Sequence, residues 1–408
     1  MKKVVFLSYL CVSAWCGWSQ ECAAESQLLW EVKQNGKAPS YIYGSMHSND
    51  HRLFNFPDSV YVALSKANAI VLETDVMQLY DEYDVRIDWF NFAFFDQRDK
   101  SFSTSKNATL TAYGSEDGRP QFLDAFFQQV GMIAQKNFYA LETVSEQKKL
   151  SENLQAVKPR MAINSLFVSK EKLMQTYIQG DIALLSSMIK SQFNGIPEAY
   201  DELITKRNKK MANGLDTLIK KQVVFCAIGS GHLYGSEGVL QLLHQKGYSI
   251  RAIKTSYTQP PISEKNEVLS WKHYTLQIDT LNFKQVFGGK PQVVRSNPDA
   301  LFQAIYNELG QGNKYQLAIY KNEHFLDDQR SKFIENKEVK TKEYAWTDDA
   351  FIIEGIVKSS LSGFQWKRII QFGDIAYELT CYGGNKFMHS NRPQKFFDQF
   401  TLLSIDVE

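Results

Sequence analysis

The chain has 408 residues, of which 44% are hydrophobic and 22% are charged, and its formal net charge is +1. This length predicts two or three domains and leaves ample material for a hydrophobic core. The balanced charge argues against a protein that binds nucleic acid through bulk positive charge, and it gives no support to a polybasic membrane patch. Beyond the N-terminal segment no apolar run is long enough to span a bilayer, so we expect no transmembrane span in the mature chain.

The N-terminus predicts export. Lys2 and Lys3 precede a long uncharged and mostly apolar run, and small residues follow at Ser19 and Ala24. This is the pattern of a secretory signal peptide over residues 1–24, cleaved after one of those two small residues. The alternative interpretation, an N-terminal anchor helix, requires a longer apolar run. We therefore expect a bacterial protein that is exported to the periplasm or secreted.

Strands and helices alternate at both ends of the first part of the chain. Short apolar runs predict strands over 28–32, 41–43, 69–72, 223–228 and 248–253. Apolar spacings of three and four predict helices over 59–67, 165–179, 181–193, 198–221 and 239–245. Residues from about 120 to 221 are predicted to be mostly helical. This order predicts an α/β layer with a helical insertion.

The predicted secondary structure changes from helix-rich to strand-rich after a Pro-Pro pair. Gln259-Pro260-Pro261 predicts a linker, which we place at 259–266, between one domain at 25–258 and a second at 267–408. In the second domain we predict strands over 274–279, 315–320, 351–357, 365–371 and 376–381. Predicted helices cover 300–309 and 394–400. The sequence therefore predicts a separate, β-rich α+β domain at the C-terminus.

Three ionisable residues follow predicted strands directly. His47 and His232 each lie three residues after a glycine that ends a strand, and Glu73 closes another strand. In α/β sheets, ligands bind outside the carboxyl ends of the strands, so these side chains can converge. Two imidazoles and a carboxylate can hold a divalent cation that activates water and polarises a carbonyl. The spacing supports equally an alternative, in which the glycines form ordinary turns and the histidines are surface residues.

Other polar residues are less informative by spacing alone. Arg207 and Asn208 lie in a charged helical segment, where a solvated basic face is the simpler interpretation and an inward Arg that holds a carboxylate or oxyanion is the alternative. Glu142, near a helix start, is interpreted as a cap or a partner of the helix dipole. Cys226 and Cys381 are far apart and predict neither a disulfide framework nor a Cys-type zinc site. The sequence contains no HExxH, GxSxG or Walker motif.

An ordered set of short segments surrounds these residues. The segments are Leu29-Trp30-Glu31-Val32, Tyr43-Gly44-Ser45-Met46-His47, Val71-Leu72-Glu73-Thr74-Asp75, Leu141-Glu142-Thr143, Arg207-Asn208 and Ala227-Ile228-Gly229-Ser230-Gly231-His232-Leu233. In order and spacing, from about residue 27 to 255, the set resembles the TraB/GumN family, which is related to the TIKI-type metalloproteases. The chain ending, 376–380 and 396–400, resembles small PsbP/Mog1-like domains of secreted bacterial proteins.

The resemblance implies an α/β fold in which paired GxxH motifs face one cleft. It implies metal-dependent hydrolysis of a peptide bond in a peptide or protein substrate, with Mn, Co or Zn as the divalent ion. His47, His232 and Glu73 carry over as the metal and catalytic set. Arg207 and Asn208 carry over as residues of the catalytic pocket. The leading prediction is therefore an exported metallohydrolase.

Two other functions stay open. In the second interpretation the chain is a non-catalytic envelope binding module that uses the same His pair for a cofactor such as haem. The chain has no CxxCH motif for covalent attachment of haem, so axial imidazoles alone would bind it. In the third interpretation the chain is an envelope interaction protein that works through its C-terminal domain, and the first domain is vestigial. The presence of His47, Glu73 and His232 together argues against a vestigial site.

Overall fold

The computed structural model describes most of the chain in separate stretches. These are residues 27–48, 50–82, 123–150, 152–153, 169–258, 262–270, 272–295, 297–334, 340–359 and 363–403. The predicted signal peptide at 1–24 and the Pro-Pro part of the predicted linker, 259–261, lie outside the described residues. Within these stretches no helix is both long and apolar enough to cross a membrane.

The N-terminal region is mixed α/β and is built on a six-stranded sheet. Its strands are β1 (Leu29–Lys33), β2 (Ser40–Ser45), β3 (Ala69–Leu72), β4 (Asn137–Ala140), β5 (Val224–Gly229) and β6 (Ser249–Ala252). They lie in the order β4-β3-β5-β2-β1-β6. The first four in this order are parallel, whereas β1 is antiparallel to both of its neighbours. The carboxyl ends of β3, β5 and β2 therefore lie side by side at one edge of the sheet.

Eight helices accompany this sheet in the described part of the N-terminal region. They are α1 (Asp58–Lys66), α2 (Val76–Glu82), α3 (Leu123–Ile133), α4 (Lys170–Ile178), α5 (Ile182–Gln192), α6 (Pro197–Tyr200), α7 (Lys206–Ile219) and α8 (Val239–Gln245). Residues 144–150 are also helical. A π-helical turn, Asp201–Thr205, joins α6 to α7 without a break. Such turns are rare and are found often at functional sites.

Local sequence explains these elements. All four residues of β3 are buried, as expected for a strand covered on both faces. Met211, Leu215 and Ile219 recur at spacings of four and form the buried stripe of α7. Side-chain caps begin the α4–α5 pair: Ser169 accepts the Lys172 N–H, and Asp181 accepts the N–H of Leu184.

The C-terminal region is β-rich. Its strands are β7 (Tyr274–Ile278), β8 (Phe283–Phe287), β9 (Gln292–Val293), β10 (Ala300–Glu308), β11 (Asn313–Lys321), β12 (Phe333–Ile334), β13 (Lys342–Thr347), β14 (Ala350–Ser359), β15 (Gly363–Phe372), β16 (Ile375–Tyr382) and β17 (Thr401–Leu402). They form an eight-stranded sheet, whose main order is β12-β14-β15-β16-β11-β10-β9 with β13 beside β14, and a three-stranded sheet, β17-β8-β7. The helices are α9 (Ser263–Leu269), α10 (Phe325–Arg330), α11 (Asn385–Met388) and α12 (Arg392–Asp398).

The mixed α/β character of the first region and the β-rich second region are confirmed, with two corrections. The helix predicted at 300–309 is wrong, because those residues form β10 between β9 and β11. Phe302 and Tyr306 mimic a helical spacing, and burial of consecutive residues removes the alternation that marks an ordinary strand. The predicted helical insertion contains a strand, β4, that the sequence pattern does not indicate. This strand is short and half-exposed, and it is an outermost strand of the sheet.

The two regions share contacts. One core cluster contains buried side chains of both, including Phe127 of α3 and Tyr306 of β10. Helix α9 begins in the predicted linker, extends beyond its end at residue 266, and packs against α1 and α3. Cys226 and Cys381 are buried, free thiols. Independent folding of the two predicted domains stays a prediction.

Candidate functional site

The structure brings the three predicted residues to the same edge of the N-terminal sheet. His47 lies just beyond β2, His232 ends a 3₁₀ turn that directly follows β5, and Glu73 directly follows β3. Because β5 pairs in parallel with both β2 and β3, these positions are neighbours. Glu73 Oε1 accepts the N–H of Gly229 at 2.6 Å, so it also contacts the second GxxH motif. Both histidines interact electrostatically with Glu73.

The first glycine of each motif permits this close approach. Gly44→Ala is expected to lower the free energy of unfolding by about 1–3 kcal/mol, because an added Cβ would lie 2.9 Å from Leu233 Cδ1 and 3.1 Å from Ser230 Cβ. Urea unfolding measures the change. A matched control is Gly214→Ala in α7, where the Cβ meets only the end of Leu141 and alanine favours the helix. Equal stability of Gly44→Ala and the wild type would contradict tight packing between the motifs.

Arg207 is at the centre of the site, and its side chain is only 15% exposed. Its Nε and Nη2 donate to the two carboxylate oxygens of Glu142 at 2.9 and 2.8 Å, and Nη2 also donates to Glu73 Oε2 at 2.7 Å. Its Nη1 contacts the Leu203 carbonyl, in the π-helical turn, and His232 Nε2, both at 3.3 Å. These contacts engage all five N–H groups of the guanidinium, which indicates a positioning and charge-balancing role.

The hydrogen bonds of His232 define its tautomer. Arg207 is only a donor, so His232 Nε2 accepts and the ring proton is on Nδ1, which donates to Asn208 Oδ1 at 2.7 Å. Asn208 in turn donates from Nδ2 to the carbonyl of Glu237 at 2.8 Å, which fixes the amide orientation. Burial and the adjacent Arg207 lower the pKa of His232 to about 3. The ring is therefore neutral, with its lone pair on Nε2.

His47 has a carboxylate partner instead. Its Nδ1 lies 2.9 Å from Asp124 Oδ2, and Asp124 Oδ1 accepts a longer bond from Ser45 Oγ at 3.4 Å. Burial lowers the pKa of His47, but Asp124 and, more weakly, Glu73 outweigh it and raise the pKa to about 9. In the neutral ring, the Asp124 bond places the proton on Nδ1 and the lone pair on Nε2. The side chain is 41% exposed, which gives it access to solvent.

Carboxylates outnumber fixed positive charges at this edge of the sheet. Glu73, Glu142 and Asp124 are all buried, and the partly buried guanidinium of Arg207 binds Glu73 and Glu142. Burial raises the pKa of Glu73, but Arg207 and the two histidines outweigh this and hold the pKa well below its usual range. The site is therefore an anionic cluster in which the buried Glu73 interacts electrostatically with both imidazoles.

A comparison with known proteins identifies the family of the chain. A model of the TraB/PrgY/gumN family matches residues 28–86 and 90–252, which is more than half of the chain. The chain belongs to the TraB/PrgY/gumN family. The matched residues include all six strands of the N-terminal sheet and every site residue described above.

Curated relatives of this TraB/PrgY/gumN chain are distant. A "Metalloprotease TIKI homolog" of Amphimedon queenslandica is 24% identical over 202 residues, which are 41% of this chain and 40% of the relative. "Metalloprotease TIKI2" of Danio rerio is 22% identical over 313 residues, 55% of this chain and 60% of the relative. The chain thus matches about half the length of these relatives.

The chemistry of the donor set in this TraB/PrgY/gumN chain fits a divalent metal. Each imidazole is anchored through Nδ1 by Asp124 or Asn208, an arrangement typical of metal-binding histidines that coordinate through Nε2. The excess of buried carboxylates over cations also suits a positive ion. Among the described residues, however, no three His, Cys, Asp or Glu side chains are already arranged to hold a metal. A metal on His232 Nε2 would replace the bond from Arg207 Nη1, because that nitrogen has one lone pair.

Two of these residues were not assigned to the site by sequence spacing. Glu142 was interpreted as a helix cap, yet its carboxylate binds Arg207 and Gln147. The sequence pattern does not identify Asp124 as a site residue, because it is a single acidic residue in an apolar helix. The prediction of a solvated basic face is wrong for Arg207 and Asn208, because both side chains face inward. Their neighbour Lys206 is exposed. The buried stripe of α7 includes Asn208 and Met211, a spacing that could have identified the inward face.

Proposed function

We propose that this chain is an exported, metal-dependent hydrolase that cleaves peptide bonds at a site formed by His47, His232 and Glu73. The observation that carries the proposal is the meeting of two anchored imidazoles and a buried carboxylate at the ends of three adjacent parallel strands. Family membership and the metalloprotease names of the distant relatives support it. The signal-like residues 1–24 support export to the periplasm or beyond.

Each residue of the proposed site has a separate role. His47 and His232 would hold a divalent ion such as Mn, Co or Zn through Nε2, and Glu73 would be its third ligand or the base for water. The bound ion would supply a Lewis acid that lowers the pKa of water and polarises a carbonyl. Asp124 and Asn208 orient the two rings. Arg207 keeps Glu73 ionised and fixes its carboxylate through a bond to Oε2.

Bound metal per chain tests the proposal. Wild type and the His47→Ala/His232→Ala double variant are loaded in turn with Mn²⁺, Co²⁺ and Zn²⁺, desalted and measured by elemental analysis. We expect about one ion per wild-type chain and none in the variant, with loss of cleavage of a mixed peptide library. The matched control is His273→Ala/His324→Ala, which removes two exposed histidines. Equal metal in wild type and the site variant would defeat the proposal and favour the non-catalytic binding module.

A further inference from the structure

Helix α3 connects the site to the C-terminal region. Nearly all of its side chains are buried. On one side it packs on β3 so closely that a Cβ on Gly131 would lie 2.9 Å from Ile70 Cγ1. Its first turn carries Asp124, the partner of His47. The helix is therefore fixed between the sheet that forms the site and whatever packs on its other side.

The C-terminal region holds the second half of this helix. Gln129 donates from Nε2 to the Tyr306 hydroxyl at 3.2 Å, and its Oε1 accepts the N–H of Leu309 at 2.5 Å. The N–H of Lys290 donates to the carbonyl of Met132 at 2.8 Å. Polar contacts from three separate positions of the C-terminal region thus fix the second half of α3.

A second connection reaches the residues next to Glu73. Gln128, one turn after Asp124, donates from Nε2 to Asp75 Oδ1 at 2.8 Å, and its Oε1 accepts the Val76 N–H at 2.9 Å. The other oxygen of Asp75 accepts a bond of 2.9 Å from Gln292 Nε2, in β9. Asp75 lies two residues after Glu73. One amide from the C-terminal region therefore completes a network that joins the β3 end to α3.

We propose that the C-terminal β-rich region is a positioning element of the site, and that Gln129 and Gln292 act through α3 and Asp75 to orient His47 and Glu73. The inference rests on the proposed function, in which those two residues serve the metal. Outer partners of metal ligands affect affinity and activity because they fix the orientation of the ligands. Ligands also perform best when rigid elements hold them. Here the rigidity comes from a region outside the family match.

Two variants of the full chain test the connection. Gln292→Ala removes the amide that binds Asp75, and Gln129→Leu removes the bonds between α3 and Tyr306. Gln292→Lys keeps a donor for Asp75 and serves as the rescue. The control is Gln277→Ala, because Gln277 makes an amide–carboxylate bond of 2.8 Å to Asp279 within the C-terminal region and does not reach α3.

Two readouts separate positioning from plain stability. In the metal-free chain, NMR of ¹⁵N-labelled histidine rings, assigned with His47→Ala, reports the Nδ1–H bond of His47 to Asp124. Co²⁺ titration then reports metal affinity. We expect Gln292→Ala and Gln129→Leu each to shift the His47 ring signal and to weaken Co²⁺ binding about fivefold or more. Gln292→Lys should restore both values, and Gln277→Ala should change neither.

The outcomes are distinct. An unchanged His47 signal together with unchanged Co²⁺ affinity in Gln292→Ala would overturn the inference. The same changes in Gln277→Ala as in Gln292→Ala would also overturn it. If wild type binds no Co²⁺ but the His47 signal still shifts in Gln292→Ala and returns in Gln292→Lys, the positioning stands and the metallohydrolase proposal fails.

Discussion

Replacement of Arg207 by Met is expected to lower the free energy of unfolding by about 3 kcal/mol. The guanidinium is bound to Glu73 and Glu142, whose carboxylates are buried, and methionine of similar size offers them no donor. Removal of one partner from a buried ion pair costs about 3–5 kcal/mol, and we take the lower end because Arg207 is 15% exposed. Chemical denaturation of both proteins gives the difference.

The matched control for this experiment is the preceding residue. Lys206 is exposed, and its ammonium group binds Glu202 one turn away on the surface. Exposed pairs of this type contribute at most about 1 kcal/mol, so Lys206→Met should stay close to wild type. If Arg207→Met is as stable as Lys206→Met, the buried network does not stabilise the fold. Arg207 would then be held for function alone.

Under the proposed function, Glu73→Gln is expected to reduce peptide hydrolysis at least about 100-fold. The amide keeps the size of the side chain but loses its charge, and its NH₂ must face either Arg207 or the Gly229 N–H, both of which are donors. The metal content of the same variant separates the two roles of Glu73. Loss of the ion indicates a ligand, and retention of the ion without turnover indicates a base.

Glu142→Gln is the control for that result. Glu142 is as deeply buried as Glu73 and binds the same guanidinium, so its replacement removes the same charge from Arg207. It follows β4, which pairs with β3 on the side away from β5, the strand that precedes His232. We expect both variants to lose stability but only Glu73→Gln to lose most of its turnover. Equal loss of turnover would mean that the charge balance of Arg207, and not Glu73 itself, is required.

Strand ends could be predicted from the sequence, but the partners of the site could not. His47, Glu73 and His232 follow short apolar runs directly, so a pattern of hydrophobicity is enough to place them at one edge of a sheet. Asp124 and Glu142 reach the site only because α3 and β4 pack beside β3. No local periodicity describes that packing. Their roles depend on contacts between residues far apart in the chain.

The same limit explains two incorrect predictions from the sequence, one of an element type and one of the exposure of a charged side chain. In β10, packing on both faces buries consecutive residues, so apolar and polar residues do not alternate as in an ordinary strand. The spacing of Phe302 and Tyr306 therefore predicts a helix where a strand forms. The charged run from Lys206 to Lys210 predicts a solvated face that includes Arg207. The three-dimensional position of the Glu73 and Glu142 carboxylates shows that one cation of the run faces inward. The burial of a charge is decided by its partners rather than by its sequence context.

The parallel pairing of β2 with β5 has a consequence for the time course of folding. Tyr41 pairs with Phe225 and Ser45 pairs with Gly229, so the strands that carry the two histidines are joined across more than 180 residues. Closing so long a loop costs entropy before any contact compensates it, which slows folding in proteins dominated by distant pairings. We therefore infer that the two imidazoles meet late during folding. Partly folded chains will display each GxxH segment separately, without the geometry that the site requires.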